Sequence, residues 1–167
     1  MGSGLNSLIL KELKKGGVDF AVSVPCKLLS GLILALEQDS DIKYFPVTRE
    51  EEGVGICAGA FLGGKFPCIV MQNSGIGNCI NALSSLLALY RIPIVFVISH
   101  RGTPGEKINA QFQMAQLTEG FLDMLRIPVF KFRDRSQVNN ELAAIAKHAW
   151  VIEYPVAVLM DFQFWSK

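Results

Sequence analysis

Short apolar segments alternate with longer amphipathic segments along the whole chain, and this alternation constrains the fold more than any other feature. Helix-forming segments separate the apolar ones, as in chains that repeat a strand–helix unit. Because parallel strands are joined by right-handed helical crossovers, the pattern predicts an α/β fold, a doubly wound six-stranded parallel sheet with helices on both faces. The predicted strands cover residues 19–25, 44–47, 66–72, 93–99, 128–132 and 155–160.

Length, charge and apolar content limit the possible functions. With 167 residues, the chain is expected to form a single domain over residues 1–167. The net charge of +1 provides no positive excess for binding nucleic acid. The apolar runs are shorter than the roughly 20 residues that span a membrane, and the first residues lack the pattern of a secretion signal. We therefore expect a cytoplasmic protein that binds neither nucleic acid nor a membrane.

The cysteines and histidines do not form a metal-binding pattern. No CxxC pair occurs, and neither histidine stands at ligand spacing from a cysteine. We expect reduced thiols and no metal site in this chain. The cysteines are Cys26, Cys57, Cys68 and Cys79.

The polar residues of the chain are concentrated in the loops that follow the predicted strands, where ligands bind in folds of this class. The segment QNSGIGN, residues 72–78, follows a strand and leads into a helix predicted for residues 78–90. Free amides there can bind an anion, although an ordinary strand-to-helix turn explains the segment equally well. Lys27, Arg101 and Lys107 are candidate anion-binding cations in the neighbouring loops, and solvated loop charges are the alternative.

The segment TREEEGVGICAGAFLGG, residues 48–64, predicts a helix with an unusual surface. Thr48 and Glu51 have the spacing of a capping box, and three glutamates fall in the first turn, where they face the positive end of the helix. Five glycines follow, which indicates close approach by another backbone or by a ligand. On spacing alone, Glu50 is either a helix-start acid or a buried functional carboxylate.

Four segments together resemble the pyrimidine-binding domain of thiamine diphosphate-dependent decarboxylases, and more narrowly the group that acts on sulfopyruvate and phosphonopyruvate. They are VDFAVSVPCKLLSGL, TREEEGVGICAGAFLGGK, PCIVMQNSGIGN and SHRGTPGEK, and the resemblance covers about residues 17–130. In that family a glutamate at a fixed interval before the AxG segment contacts the aminopyrimidine ring of the cofactor. Counting back from Gly59 identifies Glu50, with Glu51 as the alternative.

The resemblance implies decarboxylation of a short anionic 2-oxo acid with thiamine diphosphate as the cofactor. Glu50 would be the catalytic residue, and Asn73, Ser74 and Gly75 would bind the cofactor with it. The substrate anion would be bound by Lys27, Arg101 and Lys107. Two positions depart from the pattern of the phosphonopyruvate relatives: Cys26-Lys27 replaces Asp-Ser, and Gln111 stands where a histidine is usual, so the proton donor stays open.

The family's diphosphate-binding motif, GDG followed by an asparagine, is not present in the 167 residues. The resemblance therefore implies a beta subunit that carries the diphosphate-binding domain and holds Mg²⁺, in a dimer or a larger hetero-oligomer. The glycine-rich face of residues 53–64 would contribute to that contact. Two alternatives remain open, a phosphonopyruvate decarboxylase subunit and a non-catalytic interaction module with the same fold.

Overall fold

The computed structural model describes residues 3–166, and within that range six strands form one parallel sheet in the order β2-β1-β3-β4-β6-β5. This confirms the predicted fold class. The strands are β1 (Phe20–Ser23), β2 (Lys43–Pro46), β3 (Pro67–Gln72), β4 (Val95–His100), β5 (Val129–Phe132) and β6 (Val156–Asp161). The helices are α1 (Ser3–Lys15), α2 (Ser30–Gln38), α3 (Glu50–Leu62), α4 (Ser74–Ala82), α5 (Phe112–Met124), α6 (Ala143–Ile152) and α7 (Phe162–Ser166).

Two apolar layers cover the sheet, one on each face. Helices α1, α2, α6 and α7 pack on one face, and α3, α4 and α5 pack on the other. Successive residues of the central strands alternate between the layers: Val97 belongs to the first, Phe96 and Ile98 to the second. Burial on both faces explains why β4 is a continuous apolar run rather than an alternating one.

The strand order reverses direction between β1 and β3. From β1 the chain moves outward to β2, and it then returns past β1 to form β3. Helix α2 therefore leaves β1 on one face, while α4 leaves β3 on the other. The carboxyl ends of β1 and β3 flank a crevice at this point, which is where ligands bind in open α/β sheets.

Two local predictions were wrong. Helix α4 begins at Ser74, four residues before the predicted start, because Asn73 alone turns the chain with helical backbone angles. Thr48 pairs with Glu52 rather than Glu51: its backbone N and its Oγ1 lie 3.0 and 2.9 Å from Glu52 Oε2. Helix α3 starts at Glu50, with Arg49 as its extended N-cap residue, and this shifts the capping contact by one residue.

None of the helices within residues 3–166 combines the length and the apolar character that crossing a membrane requires.

Candidate cofactor and substrate site

The Glu50 carboxyl lies in the crevice between the first turns of α3 and α4. Glu50 is 8% exposed, although it is the first residue of its helix. A Cβ atom placed on Gly75 would lie 2.3 Å from Glu50 Cγ and 2.7 Å from Oε1, so the backbone of α4 approaches the carboxyl closely. Asn78 Nδ2 donates a hydrogen bond of 3.0 Å to Oε2. Within residues 3–166 Oε1 has no hydrogen-bond partner, and this oxygen is therefore available to a ligand.

Close packing of α3 on the sheet brings Glu50 to this position. A Cβ atom on Gly53 would lie 2.8 Å from Ile69 Cδ1 and 3.2 Å from Val22 Cγ2, so the absence of a side chain at Gly53 allows this close approach to β1 and β3 without displacing either residue. Glu51 and Glu52 are exposed. Of the two glutamates that the sequence left open, Glu50 is the one in the crevice.

Asn73 joins the end of β3 to the loop after β4 and to α5. Its side chain is fully buried: Nδ2 donates to Thr118 Oγ1 at 3.1 Å and to the Arg101 carbonyl at 3.3 Å, and Oδ1 accepts from the Arg101 backbone N at 3.0 Å. The amide is thus engaged within the protein. Ser74 and Gly75, its neighbours in the sequence, are the residues of this turn that reach the crevice.

The three predicted anion-binding cations have different environments. Arg101 is buried, and its Nε and Nη2 donate to the two carboxylate oxygens of Glu106, with an Nη2–Oε1 distance of 2.9 Å. These hydrogen bonds from Arg101 lower the pKa of Glu106 to about 2. Lys27 and Lys107 are exposed, and neither forms an ion pair with any residue in the range 3–166. The Arg101 donors that were predicted to bind a substrate anion are therefore bound to an internal carboxylate, that of Glu106. Glu106 was not predicted from the sequence.

Gln72 was also not identified, and it lies at the centre of a hydrogen-bond network. Its Nε2 donates to Ser74 Oγ at 2.8 Å and to Gln111 Oε1 at 3.0 Å. The Cys26 thiol donates to Gln72 Oε1 at 3.7 Å and lies 3.4 Å from Ser99 Oγ. The available signal was an uncharged polar residue at the last position of an otherwise apolar strand.

The cysteines are all free thiols, in agreement with the prediction, and only Cys26 is partly exposed. Burial raises the pKa of Cys68 and of Cys79 to about 12, and it also raises the pKa of Cys57. These three thiols are therefore inert core residues, whereas Cys26 faces the crevice.

The fold and the buried acid are those of a thiamine-binding domain. A family model described as "Thiamine pyrophosphate enzyme, N-terminal TPP binding domain" matches residues 5–120, and the chain belongs to this family. It is 45% identical to sulfopyruvate decarboxylase subunit alpha of Methanococcus maripaludis over 95% of both chains. Identity to the subunit of the same name from Methanocaldococcus jannaschii is 44%, over 95% of this chain and 94% of the relative.

Longer proteins match as well. Phosphonopyruvate decarboxylase of Streptomyces viridochromogenes is 43% identical over 65% of this chain, a match that spans only 28% of that enzyme. Among solved structures, 2-oxoglutarate:ferredoxin oxidoreductase from Magnetococcus marinus superposes with a TM-score of 0.72 at 16% identity, over 98% of this chain and 29% of that one. At this identity the likeness shows the fold alone.

The residues of the crevice fit the ring end of thiamine diphosphate. Glu50 Oε1 has no partner within residues 3–166, and Asn78 fixes the other oxygen, Oε2. Gly75 leaves the space beside Oε1 without a side chain. Across residues 3–166, no group of three or more His, Cys, Asp or Glu side chains is arranged to hold a metal ion.

Proposed function

We propose that this chain is the alpha subunit of sulfopyruvate decarboxylase, which converts 3-sulfopyruvate to sulfoacetaldehyde and carbon dioxide, as in coenzyme M biosynthesis. The observation that carries the proposal is the buried Glu50 carboxyl with one oxygen free in the strand-end crevice. Near full-length similarity to chains named sulfopyruvate decarboxylase subunit alpha supports the choice of substrate.

When it is bound, thiamine diphosphate supplies the electron sink for loss of carbon dioxide from a 2-oxo acid. Glu50 Oε1 would hydrogen-bond a nitrogen of the aminopyrimidine ring and share a proton with it, which favours the imino tautomer. Asn78 keeps the carboxyl in place through Oε2. Gly75 and the backbone of Ser74 would line the ring, while Asn73 holds their turn in register through its buried amide.

The substrate anion would approach from the side of the loops after β1 and β4. Lys27 and Lys107 are exposed and without ion-pair partners in the described part of the chain, which suits attraction of a sulfonate and a carboxylate. Glu106 uses two of the five N–H donors of Arg101. The Arg101 guanidinium also lies 5.9 Å from the centroid of the Phe162 ring, and its remaining donors would be available to the substrate.

The proposal includes a beta subunit that carries the diphosphate-binding domain and Mg²⁺, in a hetero-oligomer. Three relatives that are named as alpha subunits match this chain over almost their whole length. A protein named sulfopyruvate decarboxylase, without a subunit designation, from Methanosarcina acetivorans matches over only 26% of its length. The outer face of α3 provides a suitable contact surface: a Cβ atom on Gly55 or Gly59 would meet nothing within 4 Å, and Leu62 is 78% exposed.

Reconstitution tests this proposal directly. The chain is mixed with a candidate diphosphate-domain partner, thiamine diphosphate and Mg²⁺, and sulfoacetaldehyde formation from 3-sulfopyruvate is measured. Glu50→Gln should lower kcat at least 100-fold without preventing assembly, whereas the exposed control Glu51→Gln should stay near wild type.

Phosphonopyruvate in the same assay separates the two candidate substrates. Full activity of Glu50→Gln would refute its role. Absence of any complex with the partner would favour a non-catalytic interaction module.

A further inference from the structure

The network around Gln72 connects the ends of three structural segments at the crevice. Gln72 is the last residue of β3, Cys26 follows β1, and Gln111 ends the loop after β4. Gln111 is held in place because Gly102, at φ +79°, packs on its carbonyl: a Cβ atom there would lie 2.4 Å from Gln111 O. The network is therefore anchored at both ends of the loop that carries Arg101 and Lys107.

The directions of the hydrogen bonds in this network follow from the Cys26 thiol and the Gln72 amide. An amide oxygen only accepts, so the thiol is the donor in its contact with Gln72. The thiol hydrogen is then directed to Gln72 Oε1, 3.7 Å away. This fixes the orientation of the Gln72 amide, and its Nε2 faces Ser74 Oγ and Gln111 Oε1.

Both hydrogens of Gln72 Nε2 are consumed by these two bonds, and both partner oxygens act as acceptors. The hydroxyl hydrogen of Ser74 and the Nε2 hydrogens of Gln111 have no acceptor among residues 3–166. Gln111 Nε2 has no partner and is not among the buried unpaired atoms of residues 3–166, so it is accessible, and Ser74 is itself partly exposed. Two accessible donors of this kind form an environment that favours anionic oxygen atoms.

We propose that Gln72 is a positioning residue: it orients the Ser74 hydroxyl and the Gln111 amide so that both donate to an anionic oxygen group of the 2-oxo acid substrate. Gln111 is then a specificity-determining residue of the site. This inference rests on the proposed decarboxylase function and extends it, because that function assigns neither Gln72 nor Gln111 a role. The anionic group is the sulfonate or the carboxylate, which present the same chemistry to the two donors.

Gln72→Glu tests the inference in the reconstituted complex. A carboxylate at this position only accepts, so the Ser74 and Gln111 donors would turn inward to it and away from the substrate. We expect KM for 3-sulfopyruvate and Kd for the unreactive analogue 3-sulfopropionate to rise about 10- to 100-fold, with a smaller change in kcat. The Kd of thiamine diphosphate should stay within twofold. Gln38→Glu, which adds the same charge at the exposed end of α2, should change none of these values.

Isothermal titration with propionate distinguishes the two anionic groups. If Gln72→Glu weakens binding of 3-sulfopropionate but not of propionate, the donors bind the sulfonate; if both weaken, they bind the carboxylate. Unchanged KM and Kd in Gln72→Glu, with an active wild-type complex, would overturn the inference and leave the decarboxylase proposal intact. Wild-type complex without turnover of 3-sulfopyruvate would instead refute the proposed function.

Gln111→Leu and Ser74→Ala decide the question if Gln72→Glu does not fold, because each removes one donor and leaves β3 unchanged. Either variant should raise the Kd of 3-sulfopropionate about tenfold. Values equal to wild type in both would contradict the inference.

Discussion

Gly75→Ala should inactivate the site because the added methyl group displaces the Glu50 side chain. The added Cβ would lie 2.3 Å from Glu50 Cγ, whereas ordinary contact begins at 3.4 Å, so the side chain of Glu50 must move by about 1 Å. A misplacement of this size in a catalytic group costs about 100-fold in rate. The movement also breaks the 3.0 Å hydrogen bond from Asn78. Gly75 is not in the left-handed region, so the clash is the main cost of the substitution.

Gly77→Ala is the matched control for this substitution. It makes the same change two residues further along α4, where the new Cβ would lie 3.7 Å from Met114 Cε and 3.8 Å from its Sδ, both ordinary contacts. We expect kcat of the reconstituted complex to fall about 100-fold for Gly75→Ala and to stay within threefold of wild type for Gly77→Ala. Thermal unfolding should show a loss of about 1–3 kcal/mol for Gly75→Ala from overpacking, and no loss for the control.

The reasoning would be refuted if Gly75→Ala retained wild-type kcat while remaining folded and assembled. That result would mean that the Glu50 carboxyl tolerates a movement of about 1 Å, which is incompatible with a fixed hydrogen bond to the cofactor ring. Equal losses in both variants would point to a general effect on α4, and would equally contradict a specific contact between Gly75 and Glu50.

Two further predictions concern the groups that hold the site together. Asn73→Ala should lower the free energy of unfolding by about 2–4 kcal/mol, because three buried hydrogen bonds to Arg101 and Thr118 are lost; urea denaturation measures this, and a loss below 1 kcal/mol would contradict it. Glu106→Gln should cost about 3 kcal/mol at pH 7, since it removes one partner of a buried ion pair. The pKa of Glu106 is lowered from 4.5 to about 2, so its stabilisation is complete above pH 4.5 and is lost as the pH falls to about 2. The stability difference between wild type and Glu106→Gln should therefore shrink over that interval, and a difference independent of pH would exclude this ion pair as its source.

The strand and helix pattern was readable from the sequence because burial on both faces leaves continuous apolar runs in the central strands, as in β4. The start of α4 could not be predicted from the sequence, since Ser74 and Gly75 are typical turn residues. What overrides this preference is tertiary: the side chain of Asn73 bonds to Arg101 and Thr118, which are distant in the sequence. Hydrogen bonds between residues so far apart in the chain leave no local pattern in the sequence.

A site residue could be predicted where the family motif ties its residue type to one position. It was harder to predict where its hydrogen-bond and ion-pair partners decide its function. Glu50 could be located by its interval to Gly59, and the structure buries it while exposing Glu51. The environment of Arg101 could not be inferred, because an arginine in a polar loop gives no sign that a carboxylate five residues later will pair with it. Gln72 was overlooked for a similar reason: its importance lies in the direction of its hydrogen bonds, which depends on three other segments.

The single-residue link between β3 and α4 also sets which length changes this site can accept in evolution. A residue inserted between Gln72 and Ser74 would shift the start of α4 and carry Gly75 away from Glu50. The segment from Arg101 to Gln111 is mostly exposed between residues 104 and 110, and insertions there would leave both anchors in place. Relatives with new substrates are therefore expected to differ in length in this outer segment, and to keep the β3–α4 link at one residue.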